Sequence, residues 1–155
     1  MLRRLGADIT GSNCVPLSLL EVAECLELGI SWRDVKRIIP QSELVSQVSD
    51  LLVDVVSLSN MLGMNVPRVI MTTFGESVFT KPKGVVVDVY PEDDNTEVEI
   101  TFPAIVLLSK VTKKNKLINH AEVLDGDEWR DDRLNVLLDQ GWIVLATLEM
   151  VKSEA

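Results

Sequence analysis

The chain has few of the residues that most often do chemistry: its 155 residues include two cysteines and one histidine. That set cannot close a structural zinc site without several carboxylates, so no metal and no other cofactor is expected. A phosphate-cradling glycine loop, a dinucleotide fingerprint and a nucleophile-elbow serine are all missing, which removes nucleotide-binding proteins and serine hydrolases of that type. Bases are scarce too, with 15 Lys and Arg against 24 Asp and Glu and a formal net charge of -9. There is no bulk positive field to attract phosphate backbones, and nucleic acid is not an expected partner. The one basic cluster, Lys110 to Lys116, reads as a solvated turn. No apolar run approaches the roughly 20 residues needed to span a bilayer, and no signal-type apolar core opens the sequence. The expectation is a soluble, cytoplasmic protein with no membrane contact.

What is present describes an ordinary globular chain: 46% of residues are apolar and 25% charged, which excludes a disordered or collagen-like polymer. The length suits one compact domain over residues 1–155. Gly11, Ser12 and Asn13 form a turn-and-cap signal, and Leu17, Leu20 and Ala23 continue at helical spacing, predicting a helix from Cys14 to about Leu28. Gly29 ends it. Ser31 followed by Asp34 predicts a capped short helix running to Ile39, which Pro40 stops. Val48, Leu51, Leu52, Val55, Leu58 and Leu62 give the clearest amphipathic helix, closed by Gly63.

After Gly63 the pattern changes to short β-branched runs: Val66 to Met71, Gly84 to Tyr90, Glu97 to Phe102, Ala104 to Leu108, Leu117 to Leu124 and Trp142 to Met150. The acidic link Pro91 to Thr96 predicts a hairpin joining two of them, and its Glu92, Asp93 and Asp94 are expected at a projecting tip. A short helix is expected between Glu128 and Gln140. Helices first and strands afterwards imply an α+β domain, with N-terminal helices packed on a C-terminal antiparallel sheet.

Cys14 and Cys25 lie eleven residues apart in one expected helix, hence about 16 Å apart along its axis, too far to pair as a disulfide. Both are expected to be free thiols. Cys14 falls at the helix N-terminus, where unpaired backbone N–H groups and the helix dipole favour a thiolate and could also bind an oxyanion. Cys25, beside Ala23 and Leu26, reads as core. His120 is the one imidazole available as a base, and alternation places Ile118, His120, Glu122 and Leu124 on one face of a strand. A carboxylate should orient that imidazole and stabilise its charged form. The candidates are Glu122, Asp125, Asp127, Asp131 and Asp132.

These residues resemble a known family. Asn13-Cys14-Val15-Pro16-Leu17-Ser18-Leu19-Leu20 is similar to the Asp/Asn-Cys-Gly-Pro-Ala-x-Leu motif of papain-like cysteine peptidases of the bacteriocin-processing kind, which cleave after double-glycine leaders. Leu28-Gly29-Ile30 and Leu62-Gly63-Met64 resemble the ends of that family's helices, Phe102-Pro103-Ala104-Ile105-Val106 its Leu-Pro-Ala-Ile strand, and Asn119 to Gly126 its histidine strand. The resemblance covers roughly Asp8 to Trp129 and implies a papain-like fold, Cys14 as nucleophile, His120 as base and a peptide or protein as substrate. It points to Asp131 and Asp132 as the place of the third catalytic carboxylate, without the family's aspartate-proline pair. The oxyanion-binding glutamine of the family is here Asp8, leaving Asn13 and the Cys14 N–H as other donors. Val15 replaces the glycine after the cysteine. The expected function is hydrolysis of a peptide or isopeptide bond. The alternative is a catalytically impaired papain-like domain that binds a peptide or protein.

Overall fold

The computed structural model describes residues 14–38, 48–90, 99–111, 113–115, 117–126 and 128–153. It is an α+β arrangement around a five-stranded mixed sheet. In chain order the elements are α1 (Cys14–Cys25), α2 (Trp32–Ile38), a 3-10 turn (Val48–Asp50) leading into α3 (Leu51–Met61), β1 (Met64–Thr72), α4 (Thr73–Val78), β2 (Val86–Tyr90), β3 (Ala104–Val111), β4 (Leu117–Leu124), α5 (Glu128–Asp139) and β5 (Ile143–Lys152). The strands lie in the order β2-β1-β5-β3-β4. Among the described residues no helix is long and apolar enough to cross a membrane.

The helix starts follow the local chemistry. At α2 the Ser31 N–H donates to Asp34 Oδ2 at 2.9 Å and the Asp34 N–H donates to Ser31 Oγ at 3.3 Å, the reciprocal pair that the sequence predicts. The backbone and side chain of Ser31 together hold the Asp34 carboxyl below its ordinary value. Behind α3, Gly63 turns the chain into β1 with φ of 85°, a conformation that glycine adopts without steric cost.

α1 is buried on every side from Cys14 to Ala23. Its apolar residues join those of α3 and one face of the sheet in the larger core, which includes Leu19, Val22, Leu52, Val55, Ile105, Leu107, Ala121 and Val123. A smaller core lies on the other face, where Val106, Leu108, Leu124 and Trp142 meet Leu134 and Leu137 of α5. β3 is buried on both faces and therefore reads as a continuous apolar run.

Two irregularities keep the larger core supplied. Between Asn65 and Arg68 β1 carries one more residue than β5, so Met64 before the step, Val66 within it and Val69 and Met71 after it all join that core. Pro67 falls in this step, where a missing N–H is tolerated. In β5 the pairing with β3 passes from Ala146 to Val144, leaving Leu145 as the extra residue. α4 docks there: Thr72 Oγ1 donates to Val144 O at 3.0 Å and accepts from the Gly75 N–H at 3.1 Å, and a Cβ on Gly75 would collide with Leu145 O.

Three expectations need correction. The sheet is not wholly antiparallel, because β1 and β2 pair in parallel, with α4 in the connection between them. The strand expected over Glu97 to Phe102 is absent over its described part, residues 99–102, and β2 takes β1 as its described partner instead. Polar side chains claim that backbone: the Thr101 N–H donates to Glu149 Oε2 at 2.8 Å, and Glu99 O accepts from Arg68 at 3.4 Å. The expected hairpin tip with Glu92, Asp93 and Asp94 lies outside the described residues. Finally, Cys25 is exposed rather than core, since it is the last residue of α1, where the helix leaves the buried layer. The turn between β3 and β4 exposes Lys113 and Lys114 to solvent, as expected.

Candidate active site

Cys14 is the first residue of α1, and α1 packs against β4, the edge strand that carries His120. This packing brings together two residues 106 positions apart in the chain. Cys14 is 5% exposed and His120 is 1% exposed. Cys14 O accepts a 2.7 Å hydrogen bond from Ser18 Oγ one turn along, which fixes the first turn of the helix beneath the thiol.

The imidazole is gripped from several elements. On its own strand, Nε2 donates to Glu122 Oε2 at 2.7 Å, a pair fully removed from solvent. Strand alternation accounts for this contact, because residues two apart point the same way. From the turn before β5, the Trp142 indole lies with its ring centroid 5.6 Å away, inclined at 55°. Glu122 is itself held from α5, where Arg133 Nε donates to Glu122 Oε1 at 3.1 Å. Each carboxylate oxygen thus has its own cationic or N–H partner, the condition under which a buried carboxylate is tolerated.

Burial alone pushes the imidazole down, but the charged ring donates to Cys14 and Glu122, and these bonds with the charges of the two groups outweigh burial and hold His120 above its ordinary value of 6.5. Cys14 is thus one of the two groups that raise the imidazole. Nε2 is occupied by Glu122, and Nδ1 makes no aligned hydrogen bond among the described residues.

Of the residues singled out by sequence, Cys14 and His120 are brought together. Glu122, the candidate on the same strand face, is the carboxylate on the imidazole. Asp132, to which the resemblance points, is exposed on α5, and Asp125 is half-buried beyond the end of β4. Asp131 belongs to α5, but its side chain lies outside the described residues, as do Asp8, Asn13 and Asp127. Sequence reasoning missed Arg133 and Trp142. Neither could be placed by spacing, since each reaches the site from a different element across the smaller core. Among the described residues, no group of three or more His, Cys, Asp or Glu is placed to hold a metal ion.

No family model, curated protein or solved structure matches this chain.

Proposed function

We propose that the chain is a papain-like cysteine hydrolase that cleaves a peptide or isopeptide bond, with Cys14 as nucleophile and His120 as base. One observation carries the reading: a thiol on the first residue of a buried helix contacts an imidazole whose far nitrogen is bound to a carboxylate. Nucleophile, base and orienting group stand in the relation that activates a weak nucleophile.

In the reaction, the Cys14 proton passes to His120 Nδ1 and the sulfur attacks the substrate carbonyl carbon. The developing oxyanion faces the start of α1, where backbone N–H groups lack helical acceptors. Collapse of the intermediate releases the amine, which takes the proton from His120, and leaves a thioester on Cys14. Water activated by the same imidazole then hydrolyses the thioester and restores the thiol. Glu122 steadies the imidazolium formed on the way, so it orients the base without itself touching substrate.

Incubation with a mixture of peptides, read by mass spectrometry for new termini, tests the proposal. Cys14→Ala and His120→Ala are each expected to reduce cleavage by about 10^4-fold or more while leaving the fold intact. Cleavage retained in either folded variant contradicts these roles.

The burial of both residues supports a second reading, a papain-like domain that binds a peptide or protein and no longer turns it over. Asp8, in place of the family's glutamine, favours the same reading, since an ionised carboxylate there repels an oxyanion. If Asp8 is the reason for low activity, Asp8→Gln raises cleavage; no cleavage by either protein supports the binding module.

A further inference from the structure

The hydrolase reading has Nδ1 of His120 receive the thiol proton, which requires the proton of the neutral ring to sit on Nε2. In a neutral imidazole one nitrogen carries the proton and the other is the base, and the proton's position follows from the hydrogen bond that the ring makes. Here Nε2 meets a carboxylate oxygen at 2.7 Å. That oxygen can fix the proton on Nε2 only while the carboxylate is ionised and acts purely as an acceptor.

An ionised Glu122 is costly where it stands, fully buried on an edge strand. With His120 as its sole partner, its charge would be balanced only by drawing a proton permanently onto the imidazole. An imidazolium of that kind is no base. The second oxygen has a different partner, however: Arg133 on α5, 3.1 Å away, whose guanidinium keeps its charge at any ordinary pH. Arg133 keeps about a quarter of its side chain in solvent, so it brings the balancing charge without being fully desolvated.

We propose that Arg133 is a positioning residue: by holding Oε1 of Glu122 it keeps that carboxylate an acceptor, fixes the proton of neutral His120 on Nε2 and leaves Nδ1 free to take the Cys14 proton. The last clause rests on the hydrolase reading; the first two do not. Among the described residues, the groups that act on the imidazole are Cys14 of α1, Glu122 of β4, Arg133 of α5 through Glu122, and the uncharged ring of Trp142 from the turn before β5. α5 is thus tied to the chemistry, and a shift of this helix would change the basicity of a residue it does not touch.

The chain has a single histidine, so labelling with 15N-histidine gives the signals of this imidazole alone. Above its titration point the wild-type ring is expected to carry its proton on Nε2. In Arg133→Gln the loss of the balancing cation should raise the titration of His120 by about half a pH unit or more, and Arg133→Lys should return it towards the wild-type value. A wild-type neutral ring protonated on Nδ1 overturns the proposal without any variant. So does an Arg133→Gln titration that is unchanged or moves down. Failure of the hydrolase reading looks different: thiol reactivity at Cys14 would be indifferent to His120→Ala while the Arg133 effect on the ring persisted.

Discussion

Glu122 lies two residues beyond His120 on the same face of β4, and its Oε2 accepts from the imidazole Nε2 at 2.7 Å with both side chains closed to solvent. His120 also meets the Trp142 ring and is acted on by Cys14 at the start of α1, and α5 reaches it only through Arg133 on Glu122.

Truncating Glu122 should therefore damage stability as well as activity. Glu122→Ala leaves Arg133 and a buried imidazole without their shared partner, a loss of about 3–5 kcal/mol by comparison with other broken buried pairs. Glu122→Gln keeps the shape but removes the charge, and it should lower the titration of His120. Urea denaturation and histidine NMR check the two effects. Wild-type stability in Glu122→Ala would mean that the carboxylate is not part of a closed network.

The raised value of His120 makes stability depend on pH in a defined direction. The folded chain holds this proton more tightly than the unfolded chain, so the stabilisation is fully present below about 6.5 and is lost as pH rises through the higher folded value. The difference in unfolding free energy between wild type and His120→Gln should shrink between pH 6 and pH 8. A difference that stays constant or grows over that window contradicts a raised folded-state value.

Gly75 should not tolerate a side chain. The Cβ of Gly75→Ala would meet the carbonyl of Leu145, which is backbone and cannot swing away, and Met71 Cγ at 2.9 Å. A loss of at least about 1–3 kcal/mol is expected, measured by thermal or urea unfolding. A variant as stable as wild type would show that α4 is not anchored on the irregular step in β5.

The helical half, and the two residues of the candidate pair, were the legible parts. Ser31 with Asp34, Gly63, and the 3.6-residue spacing from Leu51 to Leu62 are local signals with local outcomes, and each appears in the structure where the chain predicts it. Cys14 and His120 could be named because the chain offers so few alternatives. The parallel pairing of β1 with β2 was not legible, since it depends on partners chosen across the sheet. α4 is six residues long, too short to show a period. Glu122 was visible through strand alternation, but the resemblance drew attention to Asp131 and Asp132. Arg133 belongs to a helix whose approach to β4 is set by the smaller core, and nothing in its spacing reveals that approach.

The most direct test of the account is the pH dependence of iodoacetamide labelling at Cys14, with the exposed Cys25 as a reference within the same chain. The account predicts that Cys14, although buried, labels faster than Cys25 near pH 6, and that His120→Ala removes this advantage while leaving Cys25 unchanged. Labelling of Cys14 that is slower than that of Cys25 throughout and indifferent to His120→Ala would contradict a poised thiol–imidazole pair and turn the search for this protein's role towards binding partners.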